Sequence, residues 1–245
     1  MCQPKADPRR GGETRGRSWR KMYYYIKGLV LKSKISAEAD RLITMYSYEW
    51  GKISAIVPGA KKIKAKLGWA AEPIRETEFH VYVKDGTMRP KVTGAKALNN
   101  YAKLFSDWKR FSVAQYCAEV VDVLTAFNSE NTRKYELLQR TWELLETSKN
   151  PWRIFSAFVL RFLNLSGYSF VEYLKRHNTL VSNDEKAHIR KLAAVSGEEV
   201  DNLLDLDGEI EYNVSRAIDG YLSTYLPRKL YSKEFCRKIE ELRQS

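Results

Sequence analysis

EADRLITMYSYEWGKISAIVPGAKKIKAKLG, residues 38–68, decides how this chain is read. Leu42–Tyr48 is β-branched and aromatic, as a strand should be. Trp50-Gly51 makes a corner, Lys52–Val57 is a second strand-like run, and Pro58-Gly59 stops it. The chain then enters a loop holding Lys61, Lys62, Lys64 and Lys66 with no acid among them. Four like charges without a local counter-ion call for neutralisation from outside. Loops are also where small β-barrels carry their ligand contacts. The stretch therefore predicts a polyanion-binding surface on a β scaffold. Its candidate contacts are Lys61, Lys62, Lys64 and Lys66, with Lys32, Lys34, Arg41, Lys52 and Trp69 beside them.

Working outward, Tyr23–Leu31 is a strand-like run before this stretch. Thr77–Val83 alternates cleanly after it, Asp85-Gly86 is a hairpin-turn signal, and Met88–Val92 is the return strand. Five short strands with no helical pattern between them suit a small barrel and not a doubly wound sheet. Gly28, alone in a strand, reads as a barrel bend. Tyr24, Tyr46, Tyr48, Trp50 and Trp69 interleave with the basic residues. On a barrel face such rings stack bases, at about 1–3 kcal/mol each, but strand alternation sends half of them inward. Tyr46 and Tyr48 share one face and Met45 the other, so either side could form the core.

After Gly94 the period becomes helical. A short helix over Ala97–Phe105 is followed by one capped at Ser106 or Asp107 and running to about Phe127. Asn131 or Thr132 caps the next, with Tyr135, Leu138, Trp142 and Leu145 in phase. Pro151 opens a third that ends at Gly167, apolar over so much of its circumference that it must be central. A capping box at Ser182 starts a helix ending near Gly197, and Val214–Tyr225 and Ser232–Arg243 follow. The fold class is thus α+β: a five-stranded barrel over residues 22–96, then an all-helical domain over 97–245, preceded by a basic, disordered arm over 1–21.

The charge is unevenly placed. Of the net +12, residues 1–21 hold +5, residues 22–96 hold +7, and residues 97–245 hold none. A basic N-terminal part joined to a neutral remainder points to a polyanion on one part of the molecule, nucleic acid first. Cys2, Cys117 and Cys236 are odd in number and far apart, which argues against a disulfide framework or a cysteine zinc site and fits a reducing cytoplasm. The chain has no apolar run long enough for a membrane span. His80, His177 and His188 have no metal-like spacing, and no phosphate-binding or nucleophile motif is present. The acids Asp201, Asp205, Asp207, Glu209 and Glu211 read as a solvated loop and helix start. No catalytic group, metal or cofactor is expected.

Several segments resemble the RecO family of bacterial recombination mediators. They are Leu31-Lys32-Ser33, Glu38-Ala39-Asp40-Arg41-Leu42, Glu49-Trp50-Gly51-Lys52, Pro58-Gly59-Ala60-Lys61-Lys62 and Leu67-Gly68-Trp69-Ala70-Ala71-Glu72-Pro73. Leu165-Ser166-Gly167-Tyr168 and Tyr221–Phe235 agree more loosely. Two departures stand out. Ser169–Asn178 lacks the cysteine pairs many members carry, so zinc is rejected for this chain, and Pro58 replaces a common lysine. The resemblance implies an OB-fold barrel followed by a helical domain, and a cytoplasmic, nucleoid-associated protein that is not an enzyme. It implies binding of single- and double-stranded DNA and annealing of complementary strands. With RecR, such a protein helps RecA replace single-strand-binding protein, whose acidic C-terminal tail would need a basic-rimmed apolar groove. Arg133, Arg140, Arg153 and Arg161 are the candidates for that rim. The alternative is an OB-fold module that binds RNA or a regulatory partner and anneals nothing.

Overall fold

Five strands close into a barrel: β1 (Met22–Ile35), β2 (Arg41–Ser47), β3 (Gly51–Val57), β4 (Glu76–Val83) and β5 (Lys91–Asn99). The order around the barrel is β1-β2-β3-β5-β4, antiparallel except where β3 meets β5. That is the OB-fold. The computed structural model describes residues 22–36, 39–62, 66–84, 89–176, 181–195, 197–201, 203 and 208–232. The arm at 1–21, Lys64, the Asp85-Gly86 turn, Asp205, Asp207 and the helix expected after Ser232 lie outside them.

One face of each strand fills the barrel with Ile26, Val30, Ile43, Met45, Ile53, Val57, Phe79, Val81 and Val92. Gly28 sits where a Cβ would lie 2.5 Å from Met45 Sδ, so its place in β1 is set by close approach of the interior. A short 3-10 turn over Trp69–Ala71 buries Ala70 and Ala71 against this core. β5 differs from the sequence reading, which ended the strand at Val92. It runs on through Asn99, over residues whose composition favours a helix, because its register against β4 continues from Val92 to Asn99. Tertiary pairing overrides local propensity there.

The helices are α1 (Trp108–Leu124), α2 (Thr132–Leu145), α3 (Pro151–Leu165), α4 (Phe170–Arg176), α5 (Asn183–Ala194) and α6 (Gly208–Tyr225). Asp107 and Asn131, both signalled by the sequence, accept from first-turn amides, as does Asn150 just before Pro151, and Ser182 with Glu185 forms the expected capping box. α3 is central, packed by α1, α2, α5 and α6. α4 occupies a stretch with no predicted element. Among the described residues no single helix is long and apolar enough to cross a membrane.

The outer wall of the barrel belongs to the helical core. Leu29, Leu31, Tyr46 and Ile74 are buried in the same cluster as Val113, Cys117, Tyr135 and Phe158. The chain after α6 is drawn back onto α1 by Glu119, which accepts from Arg228 Nη1 (2.7 Å), Tyr231 N (3.1 Å), Ser232 N (2.8 Å) and Ser232 Oγ (2.6 Å). Burial raises the Glu119 pKa, but the bonds from Ser232, Arg228 and Tyr231 outweigh it and hold the carboxyl below its usual 4.5.

A depressed carboxyl stabilises the fold above its unfolded pKa and loses that contribution as pH falls through the folded value. Urea unfolding should therefore find Glu119→Gln about 1–2 kcal/mol less stable than the parent at pH 7, with the gap narrowing as pH falls below 4.5.

Candidate nucleic-acid interface

Strand register gathers three connections at one pole of the barrel. Ile35 pairs with Arg41, Arg41 with Val57, Ile56 with Lys91, and Met22 with Val83. The links after β1, β3 and β4 therefore leave from the same end. Two of them are tied together: Lys61 N donates to Ala39 O (3.0 Å) and Gly59 N to Asp40 Oδ1 (2.8 Å). Asp40 is thus occupied by main chain, and among the described residues no ion pair joins it to Arg41. Ala60 tucks into the barrel while Lys61 and Lys62 stay exposed.

The pole is basic. Lys34, Lys61 and Lys62 are exposed there, Arg41 is half-buried, and Lys66 is exposed on the connection leading away. Lys84, Arg89 and Lys91, from the β4–β5 end, join them and were not singled out from the sequence. The signal that could have found them was the hairpin itself, since its turn had to return to the pole where β1 begins. Trp69 is half-buried against the barrel core and donates its Nε1 to Lys66 O (3.1 Å), which fixes the end of the lysine loop.

Lys52 is a correction. It is 5% exposed, and its Nζ donates to Asp122 O, lies 3.8 Å from Asp122 Oδ1 and sits 4.4 Å from the Phe127 ring centre. Asp122 lies in the last turn of α1, where main-chain carbonyls lack helical partners and a cation is favoured. Burial lowers the Lys52 pKa; Asp122 opposes this. The neighbouring Gly51 (φ +65) would place a Cβ 2.0 Å from Ser129 O, so no side chain fits. Glu49 accepts from Lys27 N (3.0 Å) and Ser47 Oγ (2.9 Å). The Glu49–Lys52 motif is therefore the joint between barrel and helices. Lys32 reaches the same Asp122 with its side chain half exposed, at the edge of the joint.

Among the aromatics, Tyr46 is wholly buried with its hydroxyl toward Asn131 O (3.3 Å), and Met45 is buried inside the barrel, so both faces of β2 are core. Tyr24 and Trp50 pack edge to face at 5.1 Å, as do Tyr48 and Tyr135 at 5.4 Å. The four arginines do not form one rim. Arg133 and Arg140 are exposed on α2, the latter paired with Glu143 (3.1 Å). Arg153 is buried, 3.1 Å from Glu211 and donating to Leu203 O (2.8 Å), and Arg161 is half-buried near the Leu192 and Ala193 carbonyls. Asp201 has its own local task, accepting from Ser148 Oγ, Lys149 N and Asn150 N. No group of His, Cys, Asp and Glu among the described residues could hold a metal ion.

Residues 22–101 match the family model for the N-terminal part of Recombination protein O, and residues 105–171 that for its C-terminal part. The DNA repair protein RecO of Heliobacterium modesticaldum is 34% identical over 145 residues, 59% of this chain and 52% of the relative. That of Gloeothece citriformis is 31% identical over 132 residues, 54% of this chain and 46% of the relative. That of Symbiobacterium thermophilum is 22% identical over 252 residues, 90% of this chain and 99% of the relative. The chain spans about half the length of the first two and nearly all of the third.

Lys52→Met removes the buried cation and leaves Asp122 with Lys32 alone, which should cost about 1–3 kcal/mol of unfolding free energy. The salt dependence of nucleic-acid binding should stay as in the parent. A flattened salt slope would return Lys52 to the binding surface.

Proposed function

The chain belongs to the RecO family, and on that premise we propose that it serves DNA repair and recombination as a mediator without catalytic chemistry. It binds single- and double-stranded DNA through phosphates at the basic pole. It anneals complementary strands and, with RecR, helps RecA onto DNA coated by single-strand-binding protein. One observation carries the reading: the barrel ends in a pole where Lys34, Arg41, Lys61 and Lys62 converge without an opposing cluster of acids among the described residues. The rest of the chain, residues 97–245, is neutral.

The chemistry follows from what lysine can recognise. An ammonium contacts phosphate as a point charge and reads no base edge. A pole of such groups releases counterions from any backbone it meets, so binding is salt-sensitive and indifferent to sequence. Two strands held there repel one another less while their base edges remain free to pair. Annealing then needs no nucleotide hydrolysis. The neutral helical half is left for protein partners, RecR and the acidic tail of single-strand-binding protein among them; Arg133 and Arg140 are its exposed candidates.

Replacing Lys61, Lys62, Lys64 and Lys66 together with Ala should weaken binding to all DNA sequences alike. The slope of log affinity against log salt should flatten by roughly 0.7–0.9 per lost contact, and ATP-independent annealing should slow in step. Unchanged affinity at both low and moderate salt would sink the assignment.

A further inference from the structure

Where β1 and β4 run past the helical core, the outer face of the barrel carries an aromatic ladder. Tyr23 pairs across strands with Tyr82, and Tyr25 with His80. Their ring centres are 5.3 Å and 3.9 Å apart. Tyr23 and Tyr25 are 64% and 66% exposed, among the most exposed large apolar side chains described. Leu29 and Leu31, further along the same strand, are buried, so two neighbouring outward tyrosines mark a surface with a task.

The surroundings select the occupant. Register continues the rungs onto β5: Tyr82 faces Lys91, His80 faces Gly94, and Glu78 lies between Lys27 and Lys96. Lys27, Lys91 and Lys96 are all exposed, against one half-buried acid on this wall, Glu78. Lys91 also adjoins Ile56, so the ladder begins at the basic pole and leads away from it. Aromatic faces bordered by cations are the chemistry of a nucleic-acid strand with its bases unpaired. Spacing adds a choice between single and double strands. Successive rungs of one strand are about 7 Å apart, roughly twice the ~3.4 Å rise per nucleotide of a duplex strand. That pitch suits an extended, unstacked strand.

We infer that the outer face of β1, β4 and β5 is a base-stacking track for single-stranded DNA. Bases lie on Tyr23, Tyr25 and Tyr82, and phosphates run along Lys91 and Lys96. The track continues from the lysine pole and rests on the reading of that pole as a phosphate site.

The test compares three probes: an oligo-dT, an abasic oligonucleotide of equal length, and a duplex. Tyr23→Leu/Tyr25→Leu/Tyr82→Leu keeps apolar area but removes the rings; Tyr23→Phe/Tyr25→Phe/Tyr82→Phe keeps the rings. The leucine variant should bind oligo-dT about tenfold or more weakly, with abasic and duplex affinities unchanged, and the phenylalanine variant should match the parent. Parent-like dT binding by the leucine variant overturns the track, as does an equal loss on all three probes. The Lys61, Lys62, Lys64 and Lys66 alanine variant serves as the second arm. If it weakens all three probes while the leucine variant changes nothing, the track fails and the phosphate pole stands. If neither variant weakens any probe, both fail.

Discussion

A lysine ammonium buried at the end of a helix holds this molecule in one piece. Lys52 leaves the barrel, enters the helical half and finds both the carboxylate and the main-chain oxygen of Asp122. A second buried charge works from the same side: Glu76 accepts from Tyr135 Oη (2.9 Å), Tyr101 Oη (3.2 Å) and Gln139 Nε2 (3.0 Å). One cation and one anion, both rooted in strands, thus reach partners on helices. Buried charges are a poor source of net stability, because desolvation offsets most of their attraction. They tolerate few alternative arrangements, however, since a misplaced partner leaves a charge unpaired. Packing of Leu29, Leu31, Tyr46 and Ile74 supplies apolar burial, and the two charges fix how the surfaces meet.

That joint decides which surfaces of the barrel are left open to a ligand. With Leu29, Leu31 and Tyr46 of the barrel's wall committed to helices, the pole bearing Lys61 and Lys62 and the wall bearing Tyr23 and Tyr25 remain open. The uneven charge of the sequence has the same logic. The excess of positive charge is confined to residues 1–96, and the helical part, whose cations are matched by acids, is balanced.

Much of this could be read from residue order, and the failures are instructive. β-Branched and aromatic runs, alternation and turn signals located four strands and the start of the fifth, and helix-start signals located most of the helices, because these signals are local. Alternation could not choose between Tyr46 and Met45, since β2 is buried on both faces and each side chain belongs to a different core. Lys52 looked like its neighbours in the basic stretch, yet its partner lies 70 residues away. Arg153 misled in the same way, its charge being met by Glu211. Local pattern reports that a residue is charged; only the fold reports whether the charge has already been answered. The ladder was missed for the opposite reason. Tyr23 and Tyr25 looked like ordinary strand formers until register set them beside Tyr82 and His80.

The shared wall also bears on how the protein is made. Leu29, Leu31, Tyr46 and Ile74 leave the ribosome well before α1 (Trp108–Leu124), the helix that helps to cover them. At a synthesis rate of about 5–20 residues per second the barrel waits several seconds with an oily flank exposed. Until α1 emerges, that flank is open to whatever shields nascent chains. Codons that slow translation between β5 and the end of α1 would lengthen that interval.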